Sequence, residues 1–182
     1  MQLAALMGSD LPPLSEGGAT EIAGLTADSR EVKPGFLFAA LPGTRVDGTR
    51  FIPQAIAQGA AAILVSTGAD VGAGVPVIAD SNPRRRLALM AARFFGKQPR
   101  TVVAVTGTNG KTSIVTFVRQ IWTSLGHEAA SLGTVGVVTA RGERPLGHTT
   151  PDPVTLQAGL AELADEGVTH LAMGASSHGL AQ

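Results

Sequence analysis

The sequence predicts an α/β protein with two domains: a small N-terminal α/β domain, then a second domain built on a mostly parallel sheet. Short apolar runs of strand length alternate with amphipathic segments of helical spacing. Proline and glycine punctuate the chain between these segments, with 11 prolines and 23 glycines in 182 residues. The polar stretch 96–100 is the expected linker, so the domains are predicted at residues 1–98 and 99–182.

In the first domain, the apolar runs predict strands and their flanks predict helix ends. Strands are expected at 35–41, 62–65 and 75–78. Residues 51–58 have helical apolar spacing, with Pro53 in the first turn. Asn82 before Pro83 is the expected N-cap of a second helix, which ends near residue 95.

This second helix and the residues after it form a basic segment. Residues 81–100 hold six bases and no acid: Arg84, Arg85, Arg86, Arg93, Lys97 and Arg100. A solvated basic face is favoured over a phosphate-binding role, because charge runs of this length are usually surface.

Composition excludes several functional classes. The absence of cysteine excludes disulfides, thiol catalysis and cysteine-ligated metals. The 14 basic and 14 acidic side chains balance, which argues against nucleic acid as a partner, and any anion site must be local. No apolar run reaches the length of a membrane span. We expect a cytoplasmic monomer without membrane partners.

The second domain opens with a candidate phosphate-binding loop. A β-branched strand at 101–105 leads into a glycine turn, which leads into a helix with apolar residues at i, i+3, i+4, i+7, i+8 and i+11 from Ile114. The strict P-loop pattern fails because its first position is Val105, so the loop is a variant. The other interpretation is an ordinary glycine turn with a chance lysine. The candidate phosphate-binding residues are Gly107, Thr108, Asn109, Gly110, Lys111, Thr112 and Ser113.

Residues 107–112 resemble the nucleotide loop of the Mur ligases, which are ATP-dependent amide-forming enzymes of peptidoglycan synthesis, and of related folylpolyglutamate and cyanophycin synthetases. Residues 25–30 and 34–40 resemble the N-terminal Mur ligase domain that holds a UDP-sugar. The resemblance implies that Ala27 and Ser29 contact the uridine, with the loop Thr44-Arg45-Val46 against it. From the residues alone, 28–30 is equally a surface turn with an ion pair, or a source of arginine for a diphosphate.

Two further segments resemble the Mur ligases that add the third amino acid. These are residues 148–153, in which Asp152 is a natural N-cap, and Ser176-Ser177-His178-Gly179-Leu180. The resemblance implies that the muramoyl-peptide is bound by Thr149, Thr150, Ser176 and Gln182. His127 and His170 are interpreted as structural.

The resemblance also implies a reaction. ATP, with Mg²⁺, would phosphorylate the D-glutamate side carboxylate of UDP-N-acetylmuramoyl-L-alanyl-D-glutamate. The amino group of meso-diaminopimelate or L-lysine would then attack the acyl phosphate. Lys111 is the implied catalytic residue and Thr112 the implied magnesium ligand.

The sequence departs from the family pattern at Gly174, where the family has a metal-binding glutamate, and at Thr49, where the family commonly has histidine. It also lacks the family's carbamylated lysine and its amino-acid-binding third domain. We therefore expect an N-terminal part of a ligase, inactive on its own. The alternatives are a non-catalytic nucleotide- or UDP-sugar-binding module, and a cyanophycin-synthetase-like ligase domain, against which residues 28–30 argue.

Overall fold

A computed structural model describes residues 1–9, 17–43, 47–69, 71–72, 74–133, 136–145 and 152–175. The chain divides into two compact units, Met1–Phe94 and Phe95–Gln182. The division predicted from the sequence lies after residue 98. No helix in these ranges combines the length and the apolar character needed to cross a lipid bilayer.

The first unit is a four-stranded parallel sheet with one helix before the first strand, one between the second and third strands, and one after the fourth. The strands are β1 (Gly24–Thr26), β2 (Phe36–Ala39), β3 (Ala62–Ser66) and β4 (Val77–Asp80), hydrogen-bonded in that order. The helices are α1 (Leu3–Met7), α2 (Ile52–Ala57) and α3 (Pro83–Phe95), with 3-10 turns at Ser29–Glu31 and Gly48–Phe51. The strands and helices predicted for this domain are therefore confirmed, while α1 and β1 were missed.

Apolar residues from α2 and the inner strands form the core of this unit. Phe38 and Ile63 are almost fully buried, and Ile52 and Ala55 of α2 pack in the same cluster. The predicted N-cap of α3 is confirmed, because the Arg85 amide donates to Asn82 Oδ1 at 3.1 Å.

The basic segment is partly structural: Arg85, Lys97 and Arg100 are exposed as expected, but the expected solvated face is wrong for Arg86 and Arg93. Arg86 is only 6% exposed and donates from Nε to Asp80 Oδ2 at 2.6 Å. Arg93 donates to the Met7 carbonyl at 2.7 Å, at the end of α1. Arg84 donates to the Pro42 carbonyl at 2.6 Å. The carbonyl partners of Arg84 and Arg93 lie 42 and 86 residues away, so local sequence does not reveal them, whereas Asp80 lies only six residues before Arg86.

The second unit contains a five-stranded mixed sheet. Its elements are β5 (Thr101–Val105), α4 (Lys111–Ser124), β6 (Ala129–Gly133), β7 (Gly136–Thr139), β8 (Gly142–Arg144), α5 (Pro153–Asp165) and β9 (His170–Gly174). The strand order is β5-β9-β6-β7-β8. The pairs β5·β9 and β9·β6 are parallel, while β6·β7 and β7·β8 are antiparallel.

The strand, loop and helix predicted from residue 101 are confirmed. The predicted N-cap Asp152 is also confirmed, because at the start of α5 its side chain accepts from the amides of Val154 and Thr155. The β6–β8 meander was not predicted from the sequence. Its strands are short, and β8 is Gly-Glu-Arg, which has little strand propensity of its own. Pairing with a neighbouring strand therefore stabilises β8.

Candidate nucleotide site

The candidate phosphate loop lies at the carboxyl end of β5, where parallel α/β sheets place their ligands. Residues 107–110 form a tight bend, and α4 begins at Lys111. Gly110 has φ +79°, a left-handed conformation that side-chain-bearing residues rarely adopt. Within the described part of the chain, no heavy atom beyond the adjacent residues lies within 4 Å of the position that a Cβ at Gly110 would occupy. Backbone conformation rather than crowding therefore requires glycine at this position.

The lysine of the loop is folded over the bend. Lys111 Nζ donates to the Gly107 carbonyl and, at 3.4 Å, to the Thr108 carbonyl. An ammonium group has three hydrogens, so one donor remains for a ligand. The lysine charge is thus held at the mouth of the loop, whose residues are exposed apart from half-buried Lys111.

The start of α4, like those of the short helices α1 and α2, has no side-chain cap, in contrast to the starts of the longer helices α3 and α5. Asp152 caps α5, whereas Gly110, the N-cap residue of α4, makes no side-chain capping bond. The first amides of a helix carry partial positive charge and need partners from outside the helix. No acidic residue occurs from Thr101 to His127. The loop therefore suits an anion with several oxygens, such as a nucleotide phosphate.

The loop suits magnesium only as an ion shared with phosphate oxygens. Thr112, the predicted ligand, is exposed on the first turn of α4 and offers a hydroxyl. Gly174 ends β9 opposite Val105 and offers no side-chain oxygen. Within the described ranges, no three His, Asp or Glu side chains converge as a metal site. Because Mg²⁺ needs six oxygens in a nearly octahedral arrangement, most of them would have to come from phosphate and water.

A small groove of about 120 Å³ lies beside Thr112, and sequence analysis did not identify it. Thr116, Arg119, Ser131 and Glu143 contribute its polar lining. Arg119 Nε is buried there and has no hydrogen-bond partner among the described residues. Arg119 is the only charged residue between Lys111 and His127, and that isolation was the one available sequence signal.

The predicted uridine-binding residues of the first unit lie at the end of β1. Ala27 is exposed, while Ser29 is buried with its Oγ 3.4 Å from Gln54 Oε1 of α2. The ion pair that the sequence offered as an alternative is present, because Arg30 Nε donates to Asp28 Oδ1 at 2.9 Å. This hydrogen bond is the main reason that the pKa of Asp28 lies below its usual value. Arg30 is thus already paired, which weakens its case as a diphosphate ligand.

The structure brings residues 107–113 together as one site and places Ala27 and Ser29 in the other unit. The remaining predicted substrate residues lie outside the described residues: Thr44, Arg45, Val46, Thr149, Thr150, Ser176 and Gln182. Their assigned contacts stay predictions.

Two family models match most of the chain. Residues 21–95 match the Mur ligase family catalytic domain, and residues 105–182 match the Mur ligase middle domain. The chain is 54% identical over 188 residues to the UDP-N-acetylmuramoyl-L-alanyl-D-glutamate–2,6-diaminopimelate ligase of Rhizobium meliloti, covering 100% of this chain and 38% of that protein. It is 58% identical over 167 residues to the ligase of the same name from Caulobacter vibrioides, covering 88% and 34%.

Solved structures agree with these matches. A structure of a UDP-N-acetylmuramoyl-L-alanyl-D-glutamate–2,6-diaminopimelate ligase matches with a TM-score of 0.83 and 28% identity, over 100% of this chain and 37% of that one. A MurF ligase from Thermotoga maritima in complex with ADP shares the fold, with a TM-score of 0.57 and 23% identity over 87% and 32%. The chain therefore spans about a third of the length of these proteins.

Proposed function

We propose that this chain, which belongs to the Mur ligase family, is the UDP-sugar- and ATP-binding part of a ligase that joins diaminopimelate to UDP-N-acetylmuramoyl-L-alanyl-D-glutamate. The observation that carries the proposal is the loop 107–113, with Lys111 over an uncapped helix start at the end of β5. The relatives named above are diaminopimelate ligases, which favours diaminopimelate over the alternative L-lysine.

In this reaction the protein has to position the substrates and to neutralise the negative charge of the phosphate groups. Bound ATP with Mg²⁺ would supply the phosphoryl group that activates the glutamate carboxylate. Lys111 would hold negative phosphate oxygens with its remaining donor, and the amides of the first turn of α4 would hold others. Thr112 would direct its hydroxyl toward the metal. Ala27, Ser29 and residues 44–46 would hold the uridine, while Thr149, Thr150, Ser176 and Gln182 would hold the muramoyl-peptide.

Nucleotide binding is tested on the 182-residue chain by titrating a fluorescent ATP analogue and displacing it with ATP. The expected result is saturable binding that Lys111→Ala weakens and that Lys97→Ala, at an exposed lysine outside the loop, leaves unchanged. Equal binding by wild type and Lys111→Ala would refute the assigned loop.

Ligase activity is tested on a fusion of the chain to the remainder of the R. meliloti relative. The fusion should form the UDP-linked tripeptide only when the muramoyl-dipeptide, diaminopimelate and ATP are all present. ATP hydrolysis that does not depend on the muramoyl-dipeptide would contradict the proposed substrate.

A second candidate is a non-catalytic binding module, which Gly174 favours because the position cannot ligate a metal. In that case the fusion would bind ATP and the UDP-sugar without forming tripeptide. Cytoplasmic location and a monomeric state stay predictions.

A further inference from the structure

The phosphate loop contains Asn109, one of two asparagines in the chain, directly before Gly110. Asparagine is a thermolabile residue type, because the nitrogen of the following peptide bond can attack its side-chain amide carbon. A glycine in the next position leaves this attack unhindered, since it has no Cβ. Both residues are exposed, so water reaches them. The pair is therefore chemically labile if the fold leaves the two reacting groups free.

The two reacting groups are the Gly110 nitrogen and the Asn109 side chain. Among the residues that the structure describes, neither makes a hydrogen bond. The Gly110 nitrogen lies at the start of α4, where the helix carries partial positive charge. Lys111 Nζ lies over the same bend, where it donates to the Gly107 and Thr108 carbonyls. This positive charge favours the negative nitrogen that forms when the Gly110 amide loses its proton.

The pair Asp47-Gly48, in the first unit, has the same kind of sequence but both of its groups are held. The Gly48 N–H donates to the Leu41 carbonyl at 3.0 Å. The Thr49 amide donates to Asp47 Oδ1 at 3.0 Å, and this bond is the main reason that the pKa of Asp47 lies below its usual value. The side chain therefore stays an ionised carboxylate, which is a poor electrophile. The contrast indicates that the fold protects this pair and leaves the pair in the phosphate loop reactive.

We propose that Asn109 is a site of spontaneous deamidation when no nucleotide is bound. The Gly110 nitrogen forms a bond to Asn109 Cγ, the bond from Cγ to the side-chain nitrogen breaks, and ammonia leaves. Water then opens the resulting succinimide ring at either of its two carbonyl carbons. The products are aspartate and isoaspartate, and water is the only other reactant.

Either product would weaken phosphate binding, a consequence that rests on the proposed function. Each places a carboxylate beside the amides and the Lys111 charge that would hold phosphate oxygens, and like charges repel. Isoaspartate also adds a methylene group to the backbone of a tight bend. Conversely, a phosphate oxygen that accepts from the Gly110 N–H would occupy the attacking nitrogen. Bound nucleotide should therefore protect the loop, and long periods without nucleotide should inactivate it.

The test incubates the 182-residue chain at 37 °C and pH 8 without nucleotide and follows it by peptide mass spectrometry. Trypsin cuts after Arg100 and Lys111, so residues 101–111 form one peptide in which Asn109 is the only asparagine. This peptide should gain about 1 Da, because an amide becomes an acid. The gain should occur at no less than a third of the rate in a synthetic peptide of residues 103–115. Enzymatic methylation of isoaspartate should label the same peptide.

Asn82 is the internal control, because it precedes Pro83, which has no N–H, and its Oδ1 caps α3. The tryptic peptide that contains Asn82 should keep its mass. An unincubated sample corrects for deamidation during digestion. Asn109→Gln is the matched variant and should abolish the mass gain of residues 101–111, because cyclisation through the longer side chain is slower.

The consequence for binding is measured with the fluorescent ATP analogue. The incubated chain should bind it at least tenfold more weakly than the fresh chain, and fresh Asn109→Asp should show the same loss. Asn109→Gln should keep its own starting affinity through the incubation. Saturating ADP with Mg²⁺ should slow the mass gain at least tenfold in the folded chain and leave the rate in the synthetic peptide unchanged.

Three results would overturn the proposal: a mass gain slower than a third of the rate in the synthetic peptide, full affinity in Asn109→Asp, or an unchanged rate in a chain saturated with ADP. A fresh wild-type chain that does not bind the analogue would instead refute the proposed function. The mass gain without nucleotide would still decide whether Asn109 is a modification site. Failure of the proposed function is therefore distinguishable from failure of this inference.

Discussion

Gly174 lies directly opposite Val105 in the parallel pairing of β9 with β5. The Ala175 amide donates to the Val105 carbonyl at 2.9 Å, which holds the end of β9 beside the start of the phosphate loop. Among the described residues, a Cβ at position 174 would meet only the Leu132 carbonyl oxygen, at 3.9 Å, an ordinary van der Waals distance. Position 174 therefore has room for a side chain next to the proposed nucleotide site.

Gly174→Glu should accordingly fold and strengthen the magnesium dependence of ATP binding, since it adds a carboxylate where the metal would lie. We expect ATP affinity at saturating Mg²⁺ to rise about tenfold, which corresponds to about 1.4 kcal/mol. Titration of the ATP analogue with and without Mg²⁺ measures this. Gly174→Gln, similar in size but uncharged, is the control, and an equal gain from Gln would contradict a metal role.

Lys111→Ala should weaken ATP binding without unfolding the chain. Among the described residues, the lysine side chain bonds only to carbonyls of its own loop, so it contributes little to packing. Hydrogen bonds to charged groups are worth about 1.5–3 kcal/mol, which predicts a loss of about 10- to 150-fold in affinity. Isothermal titration calorimetry gives the affinity, and thermal melts check the fold. A lower melting temperature with unchanged affinity would show that the lysine is structural.

Arg86→Met should destabilise the first unit strongly. The guanidinium is buried against Asp80, whose side chain is only 12% exposed. The substitution therefore leaves a buried carboxylate without its ion-pair partner. Breaking one side of a buried ion pair costs about 3–5 kcal/mol. Urea unfolding measures the loss, and Asp80→Asn combined with Arg86→Met should recover part of it. Arg30→Met, at an exposed pair with Asp28, is the control and should change stability little.

The Asp80 pair should also make stability depend on pH. Burial would raise the pKa of Asp80, but the Asn82 amide and the charge of Arg86 outweigh it and hold the pKa below the usual 3.8. A lowered carboxyl pKa contributes stability above the unfolded value and loses it as pH falls through the folded value. The urea concentration at the unfolding midpoint should therefore decrease as the pH drops below about 4. Asp80→Asn should flatten that fall, and an equally steep curve in the variant would contradict the assignment.

His170 should contribute a second pH dependence nearer neutrality. Its ring stacks on that of His127 with centroids 4.0 Å apart, and burial, then His127 and Arg100, lower its pKa from 6.5. The unfolded chain then binds more protons just below pH 6.5, so stability falls as pH drops through that window. Urea unfolding at pH 7.5 and 5.5 should show the loss, and His170→Gln should reduce it. Replacing only His127 should reduce this pH-dependent loss of stability less than His170→Gln does.

Local patterns predicted much of the fold. The strand, loop and helix of residues 101–124 and the Asn82 and Asp152 caps depend on residues a few positions apart, so the sequence is sufficient to specify them. The β6–β8 meander was missed because pairing partners rather than propensity stabilise its strands. In the candidate site the loop was predicted, whereas the groove beside Thr112 was not, because β6, β7 and β8 complete it from 12 or more residues away.

The sequence by itself determined the class of site: a glycine bend, a lysine and a helix start without a carboxylate, which together favour a phosphate. Only the tertiary structure decided the role of the charged and apolar residues around it. Arg86 is the buried partner of an ion pair. On α4 the apolar side chains of Ile114, Phe117, Ile121 and Leu125 are exposed, while Val115 is buried against the sheet. The physical reason is that periodicity shows which residues share a face, while burial depends on what the rest of the chain places against that face.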